Sequence, residues 1–214
     1  MAEEKGPQWA MATPAVLYMV GCACIMLFAL LYGLVNPGAI PGVAILFIVC
    51  GIATLILGTI ELRRGDILLG SVDMVFGGLI FLGVGAVLGS IAWAMTNLAQ
   101  TPAGAPAAVV AVYTPDLRIA AYLAIGIAVA LLLFLPNVGK LSWALFLFFI
   151  VLAAAAVTLA VGLLDGANFG DAIMKVSGIL FLMFGAFAYY AGTVFITNTV
   201  YQAPKLSLGK PLFK

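Results

Sequence analysis

Asp73 is the one acidic residue set inside an apolar stretch of this 214-residue chain. It lies nine residues past Arg64, which on a helix is about 13 Å at 1.5 Å per residue. An ionised carboxylate in such surroundings costs a few kcal/mol or more, so a residue of this kind faces a water-filled cavity, a partner or a proton path. The residues leave two readings open. Asp73 either lines a solute path and takes up a proton, or is a neutral, hydrogen-bonded carboxyl that fixes helix packing.

A second polar set lies near the C-terminus. Tyr190, Thr193 and Thr197 fall three and four residues apart and so share one helix face, with Asn198 beside them. That stripe offers hydroxyl and amide groups to a ligand, although a tyrosine near a membrane surface is equally an ordinary anchor. Lys175 stands four residues after Asp171, a spacing at which a lysine pairs with a carboxylate while its stem snorkels along apolar surface. Thr13 and Tyr18, at the start of the first apolar stretch, are weaker candidates.

Much chemistry is excluded. Histidine is absent, which removes the commonest metal ligand and the side chain best suited to proton transfer near neutral pH. The three cysteines, Cys22, Cys24 and Cys50, lie in apolar stretches without metal-ligand spacing and read as small packing residues. No paired carboxylates share a span and no nucleotide-binding loop is present, so neither an enzyme, a metal, a cofactor nor ATP is expected. A net charge of +1 without a basic stripe gives no purchase on nucleic acid.

The elements that must position these residues follow from composition. Hydrophobic residues make up 65% of the chain and charged ones 8%, with a mean hydropathy of +1.26; a water-soluble domain carries about 25% charged residues. The surface must face lipid. A helix needs roughly 20 mostly apolar residues to cross a bilayer, and charges and breakers cut this chain into six such pieces. The spacing predicts helices over 14–35, 41–60, 67–95, 117–135, 141–164 and 173–197, with stops at Asn36-Pro37-Gly38, at Glu61 to Asp66, and at Pro136-Asn137. Residues 1–13 and 198–214 are then short polar ends. The expected fold is an all-α membrane protein, a six-transmembrane-helix bundle.

Six spans put both termini on one side, together with Lys5, Arg63, Arg64, Lys140, Lys205, Lys210 and Lys214. Only Arg118 and Lys175 fall on the other. The excess of positive charge places both termini in the cytoplasm. The first apolar segment is too long for a secretory signal and has no basic leader region, so the plasma membrane of a prokaryote is the expected location. Glu61, Arg63, Arg64 and Asp66 read as a cytoplasmic charge cluster that anchors that topology with local ion pairs. The Thr96–Asp116 connection lies outside and is either disordered or folded over an outer vestibule.

Glycine recurs every seven residues at Gly70 and Gly77, at Gly78 and Gly85, and at Gly178, Gly185 and Gly192. That period keeps small residues on nearly one helix face. Helices in lipid associate through close backbone approach, so tight packing is the simpler reading, and a narrow central pore the functional one.

The segment Gly58-Thr59-Ile60-Glu61-Leu62-Arg63-Arg64-Gly65-Asp66 resembles the Gly-x-x-Glu-x-basic-basic-Gly-Asn/Asp segment of the acetate uptake transporter family, the succinate–acetate permeases. Ser71 and Phe76-Gly77 stand where that family carries Thr and Tyr-Gly. Ala12-Thr13-Pro14-Ala15-Val16-Leu17 resembles its Asn-Pro-Ala-Pro-Leu-Gly signature, with Thr13 for Asn, Val16 for the second Pro and Tyr18 for Gly. The end of the sixth span, through Tyr190 and Asn198, is also similar, and the likeness covers most of the chain in span number, order and loop length.

The resemblance implies a channel or transporter for small monocarboxylates, acetate first and succinate as a further substrate, passive or proton-linked. It also implies a pore through each protomer and assembly into a homohexamer. Cys22 and Phe76 then stand at the apolar narrowing, where a ring of apolar side chains gates by excluding water. The hydroxyl stripe meets the carboxylate, and Lys175 is a positive lure at the outer mouth. Two other classes stay open: a pore for urea, an amide or ammonium, and a membrane subunit that scaffolds a complex without transporting.

Overall fold

The computed structural model describes residues 11–213; Lys5 and Lys214 lie outside them. Every regular element in this range is helical. Helix α1 covers Thr13–Tyr32 and ends at Gly33, whose φ of +81° lets its N–H turn back to the carbonyls of Ala29 and Leu30. A 3-10 turn at Pro37–Ala39, capped by the Asn36 side chain, leads into α2, Ile40–Arg63. Asp66 then caps α3, Ile67–Val75, through Leu69 N–H at 3.0 Å. A π-helical stretch, Phe76–Leu82, joins α3 to α4, Gly83–Gln100, so that one span runs through all three. After the short α5, Ala107–Tyr113, come α6, Arg118–Leu141, α7, Trp143–Leu164, and α8, Ala172–Tyr201. Six of the helical runs are long and apolar enough to cross a membrane.

Several span ends differ from the sequence-based expectation; the third span runs past Met95 to Gln100. The fourth span does not stop before Pro136 but passes through it to Leu141. Proline removes one backbone bond there, yet ending the helix would orphan a whole turn of carbonyls, and apolar surroundings penalise that more. The sixth span likewise runs past Thr197 to Tyr201. The 96–116 connection is folded: α5 brings the Tyr113 ring edge-on to Trp93, 5.8 Å between centroids.

The helices close into a ring. Helix α1 packs along α8, α8 on α7, α7 on α6, α6 on α4, the α3–α4 span on α2, and α2 back on α1. The seven-residue glycine rows lie in two of these seams. A β-carbon on Gly77 would stand 2.9 Å from the Leu55 backbone nitrogen, and one on Gly85 3.0 Å from that of Ile48, so this row presses α3–α4 onto α2. Gly178, Gly185 and Gly192 similarly face Phe28, Cys24 and Tyr18 of α1. These glycines serve close packing and leave the bundle axis to larger side chains.

Side-chain and backbone contacts also sort the charges. Arg63, Arg64, Lys140, Lys205 and Lys210 gather at the end where α1 begins, tied there by Arg64 to Glu61, by Lys210 O to Trp143 N–H and by Leu212 N–H to Gly139 O. Arg118 and Lys175 stand at the other end.

The seams make a direct prediction. Gly77→Ala must push α2 away and lowers stability by about 1–3 kcal/mol. Gly89→Ala, where nothing lies within 4 Å of the new carbon, leaves stability unchanged or raises it by up to about 1 kcal/mol. Thermal unfolding of the two variants in detergent checks the contrast.

Candidate functional site

The polar chemistry of the bundle interior is concentrated where α1, α2 and α3 meet. Helix α1 begins inside the bundle, with Thr13 only 4% exposed, and its N-cap residue Ala12 offers no side-chain acceptor. The first amides of a helix need partners, and Glu61 of α2 supplies them from 48 and 49 residues away. Its Oε1 accepts from the Ala12 N–H, from Thr13 N–H at 2.8 Å and from the Thr13 hydroxyl at 3.1 Å. Its Oε2 receives Arg64 at 2.7 Å. Glu61 is fully buried. The charge cluster expected here does form an ion pair, Glu61 with Arg64, but Glu61 is buried: its carboxylate turns inward because a buried helix N-terminus and a guanidinium stabilise it there.

Asp73 joins this cluster from α3. It is 2% exposed, and its Oδ2 stands 3.3 Å from the same Thr13 hydroxyl. Both side chains also border a cavity of about 50 Å3 on the bundle axis, whose other walls include Val16, Leu145, Phe149 and Phe187. Asp73 is thus both hydrogen-bonded and on a void.

Beyond this inner cavity stand three aromatic rings. Phe76, from the start of the π-helical stretch, stacks at 6.4 Å on Phe184 of α8 and meets Phe149 of α7 edge-on at 6.1 Å. All three border the inner cavity, and Phe76, Phe184 and Val20 also border a smaller middle cavity of about 20 Å3. The middle cavity in turn shares Leu27, Ile80, Leu152 and Phe181 with an outer one of about 90 Å3, which reaches Leu117 and Phe169 at the far end. Three cavities in file therefore follow the axis from one end of the bundle to the other. Thr13 and Asp73 supply the polar side chains along this file, both at its inner end.

The other sequence candidates lie elsewhere. Cys22 is exposed on the outside of α1 and does not border the file; the cysteine that does is Cys24, two residues on. Tyr18 and Thr193 bond to each other at 2.9 Å across the exposed α1–α8 seam. Tyr190 donates to Ser207 O at 3.0 Å, and Asn198 brackets the backbone of Lys205 and Leu206 at 2.8–3.0 Å. Both side chains hold the C-terminal segment, which continues across to Ser142, Trp143 and Gly139 at the α6–α7 turn. Thr197 is partly buried on the same helix, away from the cavities. Lys175 does not pair with Asp171, whose carboxylate caps Asn168 N–H at 2.8 Å; its ammonium lies 5.5 Å above the centre of the Tyr32 ring instead. Glu61, Phe149 and Phe184 were missed. The phenylalanines carry no signal that separates them from twelve others, whereas an acid in the last turn of α2, where the helix dipole disfavours it, was a usable sign for Glu61.

No protein-family model matches the chain, and no curated protein matches it. Among solved structures it is similar to the bacterial acetate channel SatP, with a TM-score of 0.72 at 23% sequence identity, covering 94% of this chain and 100% of that one. This chain has the fold of that channel. The likeness extends over all six spans, so the axial file lies inside a shared architecture.

The buried cluster predicts an order of stabilities. Glu61→Ala strands Arg64 and two buried amides and lowers stability by about 3–5 kcal/mol. Asp66→Ala removes only an exposed-side helix cap and costs about 1 kcal/mol. Unfolding of both variants in the same detergent measures the difference.

Proposed function

We propose that the protein is a channel for small monocarboxylates, acetate first, which cross as the neutral acid. The observation that carries this reading is the file of apolar cavities along the axis of a bundle with the acetate-channel fold. An anion on that axis meets no cationic side chain and would lose its hydration without compensation, a cost of many kcal/mol. The protonated acid loses far less. Each acid that crosses then carries one proton, which makes passage proton-linked without an energy-consuming step. Succinate has two carboxyls to neutralise and is a poorer solute for the same reason.

Several further features belong to the same proposal. The basic end of the bundle, where α1 begins, faces the cytoplasm by the positive-inside rule. The aromatic trio Phe76, Phe149 and Phe184 is the gate, excluding water by its apolar rings. Lys175, at the opposite end, is placed to attract carboxylates toward the outer cavity. Assembly into a homohexamer in the inner membrane, with a path through each protomer, completes the reading.

Uptake into liposomes containing the purified chain tests the reading. Labelled acetate enters faster than into protein-free vesicles, and the excess grows as the pH falls. Passage of urea or methylammonium in place of acetate would replace the reading with a neutral- or cation-selective pore. Passage of none of the three, with a fixed partner co-purifying, would make the chain a scaffold. Within the channel reading, Phe184→Ala opens the narrowing, raises acetate flux several-fold and admits butyrate, measured in the same vesicles.

A further inference from the structure

The Thr13 hydroxyl stands between two buried carboxyl groups, 3.1 Å from Glu61 Oε1 and 3.3 Å from Asp73 Oδ2. A hydroxyl has one hydrogen and two lone pairs. It can donate to one of these oxygens only, and the other contact is a hydrogen bond only if that carboxyl carries a proton of its own. The surroundings decide which one does. Glu61 receives two backbone N–H groups and the Arg64 guanidinium, every one of which favours the anion. Among the described residues, Asp73 is met by no backbone amide and no guanidinium. Asp66 caps α3 beyond it with a further negative charge, and the inner cavity walls contributed by α6, α7 and α8, among them Val138, Leu145, Phe149 and Phe184, carry no charge.

We propose that Asp73, Thr13 and Glu61 form a proton-holding triad at the inner end of the path, in which Asp73 exchanges its proton with the permeating carboxylate. Asp73 Oδ2–H donates to Thr13 Oγ1, and Thr13 Oγ1–H donates to Glu61 Oε1. A carboxylate entering the inner cavity takes the proton: the Asp73 O–H bond breaks, an O–H bond forms on the solute, and the negative charge moves from solute to Asp73. The neutral acid proceeds past the aromatic trio, and a proton from cytoplasmic water restores Asp73. The reverse sequence discharges an acid arriving from outside. Thr13 is a positioning residue: its hydroxyl connects Asp73 to the fixed anion at Glu61.

The triad rests on the channel reading for its role, but its proton can be observed without transport. Infrared spectra of the purified protein at neutral pH are expected to contain a protonated-carboxyl band that shifts in heavy water. The band is lost in Asp73→Asn, moves in Thr13→Val and returns to its place in Thr13→Ser. In liposomes, Asp73→Asn lowers the protein-dependent acetate flux at least tenfold and flattens its pH dependence. Methanesulfonate, a similar anion that cannot take up a proton in this range, does not pass. Absence of a band that Asp73→Asn removes overturns the triad, as does an Asp73→Asn flux with unchanged size and pH dependence, and neither touches the channel reading. Methanesulfonate passing as fast as acetate overturns neutral-acid passage itself, even where the infrared band stands.

Discussion

A helix that begins inside an apolar bundle must find acceptors for its first amides, and here a single carboxylate supplies them. Water is not at hand to do so in a membrane, and each unmatched group costs several kcal/mol. Glu61 takes the amides of Ala12 and Thr13 on one oxygen and the Arg64 guanidinium on the other. That fixes the start of α1 against the last turn of α2. It also turns the Thr13 hydroxyl toward α3, where Asp73 meets it. Without the Glu61 contact, α1 has no reason to start at this depth, and the inner cavity loses the wall that Thr13 and Val16 provide.

Small and large residues divide the remaining work by position. The glycine rows lie in the α1–α8 and α2–α3–α4 seams, where backbones come close enough that an added methyl would collide. The axis is surrounded by branched aliphatic residues and by Phe76, Phe149 and Phe184, whose bulk keeps the opposite walls apart while leaving gaps between rings. The trio borders the inner cavity, and two of its rings the middle one, whereas the outer cavity is walled mainly by aliphatic side chains such as Leu30, Val84 and Ile127. The same rings stand between the inner and middle cavities, so under the proposed function the narrowing arises from side-chain packing on the axis.

The spans were legible because charges and prolines interrupt the apolar runs, and lipid admits little besides helices between those interruptions. Their ends were less so: Pro136 marks a boundary in water but not inside a bundle. The glycine period gave the seams but not which helices they join. The site was legible in part. Asp73 stood out because a lone acid in an apolar span demands a reason, whereas Thr13 was a weaker candidate at the start of the first span and its contact with Asp73 emerged only from the fold. Cys22 was placed wrongly by two positions, and on a helix two residues are about 200° apart, which turns Cys22 outward and Cys24 inward. Tyr190, Thr193 and Thr197 share a face by their spacing, yet Thr193 meets Tyr18 of α1 while Tyr190, like the neighbouring Asn198, holds the C-terminal segment. Periodicity reveals a shared face but not what the face meets. Glu61 was hidden by its company, since Arg63, Arg64 and Asp66 around it look like solvated charge.

The path is polar at one end only, and that asymmetry has a physical logic under the proposed function. An acid and its anion differ by tens of kcal/mol in their preference for water over hydrocarbon, so the exchange of a proton cannot take place midway, where either product would be stranded. It has to occur where water still reaches one partner. Asp73 is about 9 Å along α3 from its first residue, bordering the inner cavity on the basic-end side of the aromatic trio. A carboxyl beyond the trio would have to ionise in a dry chamber, and one at the surface would equilibrate with bulk water and impose no selection. The position of Asp73, one cavity deep and joined through Thr13 to Glu61, lies between those two failures.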